Sequence, residues 1–223
     1  METKKQSCQK VICYICGLLV MSLGSNLFLK AALGVAPSCT IALALTKMFP
    51  FMGYAVFNFI VNGCLLICEI AVEKKIGKKQ AVQLLLTFVY SLFIQWTSAL
   101  FHSINAELMS TRIVMSFAAC AVLAAGIFLT VQSGLAVLPM EGFVSSLAKK
   151  RGLPFGTVRV QVEVLITAGS AVMSFLLIHD LSVVGIGTVI AAFCTGMMNN
   201  CFVWIFTHMR QMKHMRRPRS RFA

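Results

Sequence analysis

Charge is scarce in this 223-residue chain and acid scarcer still: charged residues make up 12%, with seven Asp and Glu against twenty Lys and Arg. Soluble domains carry roughly 25% charged residues, so the shortage excludes an ordinary soluble fold. Other absences narrow the chemistry. The four histidines, at 102, 179, 208 and 214, are scattered at segment ends and build no zinc pattern. GIG at 185–187 lacks the third glycine and the preceding strand of a dinucleotide loop, and it sits where a membrane helix begins, so it reads as helix packing. No nucleophile with a partnered base and no metal-ligand cluster is visible, so neither enzyme activity nor a metal or cofactor is expected. Nine cysteines are present, but Cys13 with Cys16, and Cys64 with Cys68, are spaced to share one helical face inside a bilayer as small packing residues.

What is abundant is apolar sequence: 58% of residues are hydrophobic and the mean hydropathy is +0.84. Residues 11–29, 48–68, 80–106, 113–140 and 181–209 form uncharged runs, and a sixth run at 155–178 is interrupted only by Arg159 and Glu163. Each is near or above the ~20 residues that cross the hydrocarbon core. The first is long for a signal-peptide core and lacks a small-residue cleavage site, so it is expected to be a membrane helix.

The net charge of +13 is concentrated in four clusters at the ends of these runs. Lys4, Lys5 and Lys10 precede the first; Lys74, Lys75, Lys78 and Lys79 lie between the second and third; Lys149, Lys150 and Arg151 precede the fifth; six more basic residues lie between 210 and 221. Placing all four clusters in the cytoplasm gives six crossings of the membrane with both termini inside, and leaves only Lys47 and Arg112 in outer loops. The basic tail is expected to touch anionic lipid. No recognition fold accompanies the charge, so nucleic acid is not an expected partner.

Two stretches repeat. GSNLFLKAALGVAP at 24–37 aligns with GIFLTVQSGLAVLP at 126–139, matching Gly24 with Gly126, Leu27 with Leu129, Leu33 with Leu135, Val35 with Val137 and Pro37 with Pro139. Each proline opens a short segment, followed by a PF step, a glycine (Gly53 or Gly156) and two long apolar runs. Three crossings per copy is an odd number, so the copies enter from opposite sides. The expected fold is therefore all-α: six transmembrane helices plus two re-entrant half-helices, at about 38–49 and 140–150, in two inverted-topology repeats. The first repeat covers 11–104 and the second 105–209, flanked by an N-terminal tail at 1–10 and a basic tail at 210–223.

Inverted repeats with interrupted helices are a recurrent architecture of secondary transporters, with the site near the midplane. Pro37 and Pro139 suit the first turn of a half-helix, where the missing N–H has no partner to lose. Glu141 then falls in that first turn, where the helix dipole and free amides favour its ionised form while burial favours the neutral one. Three roles stay open for it: a structural N-terminal cap, a proton- or cation-coupling group, and a contact to a cationic or hydroxylated substrate. Asn58 and Gln161 occupy equivalent places in the two copies and are either interhelical glue or site lining. Lys30, seven residues before Pro37, snorkels or reaches a cavity. Asn199 in the last helix is a further site candidate, and Arg159 with Glu163, four apart, form a candidate structural pair.

The stretches LKAALGVAPSCTIALAL (29–45), VLPMEGFVSSLAKKRGLPFGTVRVQVEV (137–164) and VVGIGTVIAAFCTGMMN (183–199) resemble the YczE/YitT-like family of bacterial integral membrane proteins, a family with no assigned activity. The resemblance implies membrane location and the repeat fold, and it supplies no substrate. The expected function is that of a small transporter-like protein for an unknown solute or ion, with oligomerisation open. The alternatives are a substrate-capture subunit of a larger import complex and a regulatory or assembly protein without flux.

Overall fold

The computed structural model of the chain describes residues 4–102, 107–135, 137–179 and 183–215, without the side chains at 4–7, 178, 196, 199, 200, 203, 207 and 209–215. Its helices are α1 (Lys4–Ala31), α2 (Thr40–Met48), α3 (Tyr54–Glu73), α4 (Lys78–Leu100), α5 (Met109–Ser133), α6 (Pro139–Arg151), α7 (Phe155–Ile178) and α8 (Ile186–Met215). A 3-10 turn at Pro37–Cys39 leads into α2. Among the described residues every regular element is helical.

Among the described residues five helical stretches are long and apolar enough to cross a membrane: Cys8–Ala31, Tyr54–Glu73, Lys78–Leu100, Met109–Ser133 and Phe155–Leu177. Helix α8 is longer, at 30 residues, although its described apolar part, Ile186–Thr195, is shorter than a span. Large apolar side chains also cover the outside, with Leu165 71%, Ile67 67% and Val114 67% exposed. A water-soluble monomer does not leave so much apolar surface uncovered; a bilayer covers it. This is a membrane protein.

The breaks between helices follow from local chemistry. The apolar run 113–140 does not continue as one helix: α5 stops at Ser133 because Gly134, with φ of 63°, takes the left-handed conformation that closes a helix end. The aligned residue after α1, Ala32, does the same at φ of 52°. Likewise the run 48–68 enters α3 only at Tyr54, after a turn through Phe49–Gly53. Pro37 and Pro139 both sit in the first turn of the elements they open. At ~1.5 Å per residue α2 and α6 reach only ~14 and ~20 Å, too short to cross ~30 Å of hydrocarbon.

The centre of the molecule is the α1–α5 seam. Hydrocarbon gives helices no hydrophobic reason to associate, so close packing through small residues must do the work. Going forward along α1, Gly17 lies against Thr130 and Gly24 against Leu123, while Gly126 lies against Met21. The partners run backwards as α1 runs forwards, so the two helices are antiparallel. Buried Ser116, Ala119, Cys120 and Ala124 keep this face of α5 small. Polar ties hold α4 to α1: Asn26 Nδ2 donates to Ile94 O at 2.9 Å and to Thr97 Oγ1 at 2.7 Å, and Ser25 and Tyr90 hydroxyls pair at 2.8 Å.

Around the seam the packing is reciprocal. Helix α1 packs on α4 as α5 packs on α8; α2 packs on α3 as α6 packs on α7; and each short helix also lies across the other half, α2 on α7 and α6 on α3. Three of the four basic clusters gather at one end of the molecule. Ser146 of α6 donates to Glu73 at the α3–α4 turn at 2.5 Å, and Cys13 near the start of α1 reaches Leu129 near the end of α5 at 3.5 Å. Phe128 packs on Phe202 and Phe206, so α8 also runs towards that end; the tail at 216–223 lies outside the described residues. The opposite end carries Lys30, whose Nζ donates to His102 O at 3.3 Å.

Candidate functional site

Both short helices begin at one cavity. It has a volume of about 470 Å³, and Ala36, Pro37, Ser38 and Cys39 approach it from one side while Leu138, Met140 and Glu141 approach from the other. Met21 and Leu123, from the middle of the seam, form its floor; Asn58 and Asn62 of α3, Tyr90 of α4, Ile127 of α5, Arg159 and Glu163 of α7, and Thr195 of α8 complete it. The volume lies in the range of small-molecule sites, which run to ~300–1,000 Å³ and are mostly apolar with a few convergent polar groups.

Glu141 is the third residue of α6, after the N-cap Leu138 and Pro139 at the first helical position. No side chain caps this helix start, and Glu141 is partly exposed, its exposure being to the cavity. Arg159 lines the same cavity. Arg159 Nε donates to Glu163 Oε1 at 3.1 Å, the i,i+4 geometry that pairs charges along one helix face. Asn62 Nδ2 donates to Asn58 O at 2.9 Å and to Asn58 Oδ1 at 3.1 Å, and Asn58 Nδ2 reaches the Tyr54 hydroxyl at 3.5 Å.

Of the residues singled out from sequence, the structure brings Glu141, Asn58, Arg159, Glu163 and Pro37 to this cavity. Gln161 is not among them: it is exposed on the side of α7 away from the cavity, because two residues beyond Arg159 turn the helix by about 200°. Lys30 is not either; its chain end is held at His102. Pro139 is buried beside the cavity without lining it. The Asn199 side chain lies outside the described residues.

Residues 8–203 match a family described as a family of unknown function, DUF6198. The chain belongs to that family. The match takes in both half-helices and every residue of the DUF6198 cavity and ends before the basic tail. No curated protein and no solved structure matches the chain.

Sequence reasoning missed a second polar constellation, where α3, α4 and α6 meet. Glu69 is fully buried, and Lys79 Nζ donates to its Oε1 at 2.6 Å while Gln83 Nε2 donates to its Oε2 at 3.1 Å. Lys79 also reaches Glu73 at 3.2 Å, and Gln80 Nε2 donates to the same carboxylate at 2.9 Å. Gly142 of α6 covers this cluster, and a Cβ there would collide with the Glu69 carboxylate and the Gln83 amide. The signal was present: acids four apart at the end of one apolar run face Lys79, Gln80 and Gln83 across a short turn. Cys39 was legible too, since the proline alignment sets it opposite Glu141.

Proposed function

We propose that the protein is a six-span carrier of inverted-repeat type, which binds a small polar solute in the cavity between the half-helix starts and opens it alternately to the two sides of the bacterial cytoplasmic membrane. One observation carries the reading: two proline-initiated half-helices, one from each half of the chain, begin at a single cavity of about 470 Å³ that holds a carboxylate. Discontinuous helices whose N-terminal ends point at a midplane site are the binding device of many secondary transporters. The antiparallel α1–α5 seam supports the inverted repeat, because aligned residues exchange roles there: Gly24 lies on Leu123 as Gly126 lies on Met21. So does the reciprocal packing of α2 on α7 and α6 on α3. The 30-residue α8 supplies the sixth crossing. Glu141 is the coupling or contact group, Asn58 and Tyr90 line the site, and catalysis forms no part of this reading. The resemblance to YczE/YitT-like proteins is consistent with it and adds no substrate.

Two measurements test the proposal. In a thermal-shift screen of purified protein against ions and small metabolites between pH 5 and 8, a ligand at 100 times its dissociation constant adds about 2.7 kcal/mol. The expected outcome is a shift in wild type that is lost in Glu141→Gln. If no solute shifts wild type and the variant merely melts lower, Glu141 serves stability alone and the carrier reading is wrong. For sidedness, a cysteine placed at Lys149 in a background without the nine native cysteines is expected to resist membrane-impermeant maleimide in intact cells and to react after lysis. Labelling from outside would reverse the topology.

A further inference from the structure

Resting on the carrier reading, we infer that the solute is a small monovalent organic cation with an apolar body, whose charged nitrogen is received by Glu141. Charge balance is the first observation. Among the described residues the charged side chains lining the cavity are two carboxylates, Glu141 and Glu163, and one guanidinium, Arg159. Arg159 pairs with Glu163 at 3.1 Å, which leaves the lining one carboxylate in excess, and Glu141 is the one at the half-helix start. An uncompensated charge at membrane depth is costly, and a bound cation removes that cost.

The half-helix starts pull in the other direction, since the positive ends of helix dipoles favour anions. Here the amides that follow the first turn already close it. Cys39 N donates to Ala36 O at 2.8 Å within the 3-10 turn, Thr40 N donates to Pro37 O, and Gly142 N donates to Leu138 O at 2.9 Å. Pro37 and Pro139 have no N–H to offer. The Glu141 carboxylate, when ionised, would also repel an incoming anion. An ionised Glu141 in the first turn sets a full negative charge against two partial positive ends.

Shape and lining set the rest of the ligand. Among the described residues no group of three His, Cys, Asp or Glu side chains could hold a metal ion, and about 470 Å³ is far larger than a dehydrated monovalent ion needs. Met21, Leu123, Ile127, Met140 and Val160 give the cavity an apolar wall suited to a hydrocarbon body. Phe155 and Tyr90 add aromatic rings to the lining, and an aromatic ring attracts a cation to its face. Helices α7 and α8 both border the cavity yet share little contact among the described residues, and Val160 at this border is 60% exposed. That border leaves room for an amphiphilic ligand to enter beside the bilayer.

Three near-isosteric probes separate the possibilities: phenethylammonium, 3-phenylpropionate and 2-phenylethanol, each titrated into the purified full chain in nanodiscs. The ammonium is expected to bind at least tenfold more tightly than the other two, to lose at least tenfold in Glu141→Gln, and to keep or gain affinity in Arg159→Gln, which frees a second carboxylate. A role for Glu141 in packing alone would not produce that opposite pair of effects. Should Glu141→Gln fail to fold, wild-type residues supply the second readout. In a variant retaining Cys39 as its one cysteine, phenethylammonium is expected to slow alkylation of that cavity thiol at least fivefold, and the propionate is not. Preference for the propionate or the alcohol overturns the cation and leaves the carrier reading standing. If none of the probes binds or protects Cys39, the cation is overturned; if the metabolite screen is also blank, the carrier reading falls with it.

Discussion

Gly126→Leu is expected to leave little folded protein in detergent, with a loss of more than about 3 kcal/mol in the fraction that does fold. A Cβ at position 126 would lie 2.6 Å from the backbone nitrogen of Met21 and 2.5 Å from its Cγ. The side chain of Met21 can swing away, whereas its backbone cannot move without parting α1 from α5. Overpacking of a tight interior typically costs 1–3 kcal/mol, and a clash with backbone belongs at or above the top of that range. Removing the flexible part of the clash with Met21→Ala is expected to restore only a minor share. The controls are Gly63→Leu in α3 and Gly169→Leu in α7, where nothing lies within 4 Å of the added atom. Leucine is a better helix former than glycine by somewhat under 1 kcal/mol, so those variants are expected to melt at or slightly above wild type. Equal losses at all three positions would mean that the α1–α5 seam is not the close contact described here.

The second large effect belongs to Lys79→Met. Glu69 has no exposed surface, and its charge is answered by Lys79 on one oxygen and Gln83 on the other. Removing one partner of a buried pair costs about 3–5 kcal/mol because a buried charge is left behind. Lys79 itself is half exposed, which permits some solvent rescue and puts the expected loss near 3 kcal/mol. Glu69→Gln is expected to cost less, since no buried charge remains, and the double variant Glu69→Gln/Lys79→Met should be more stable than Lys79→Met alone. A coupling of about 1–3 kcal/mol from the four melting curves is the expected result. Strict additivity would show that the two charges do not interact. Because Gly142 of α6 rests on this pair, the cluster also fixes the half-helix that carries Glu141, and Lys79→Met is expected to weaken ligand binding as well as stability.

Much of the fold was legible because it depends on properties carried along one dimension. Apolar length marks the spans, lysine and arginine mark their ends, and a proline can open a helix but not continue one, so the half-helix starts at Pro37 and Pro139 could be named in advance. The left-handed stops at Ala32 and Gly134 fall at aligned positions, although only the glycine takes that conformation without a Cβ penalty. The first turn of α6, and Glu141 in it, needed no tertiary information.

Direction around a helix axis did not follow from such reasoning. Each residue turns the helix by about 100°, so equivalence in the alignment does not decide which side chain faces inward. Asn58 and Gln161 show this: counted from the helix starts at Tyr54 and Phe155, Asn58 corresponds to Arg159, which also lines the cavity, while Gln161, two residues on, faces outward. The buried Glu69 shows it again. A carboxylate near the end of an apolar run reads as an interfacial charge, and only the crossing of α6 over α3 and α4, with a glycine at the point of contact, puts it in the interior. Hydrophobic length, proline and charge made this chain a membrane protein with two short helices; packing decided which of its polar side chains meet, because that depends on the rotation and approach of helices far apart in sequence.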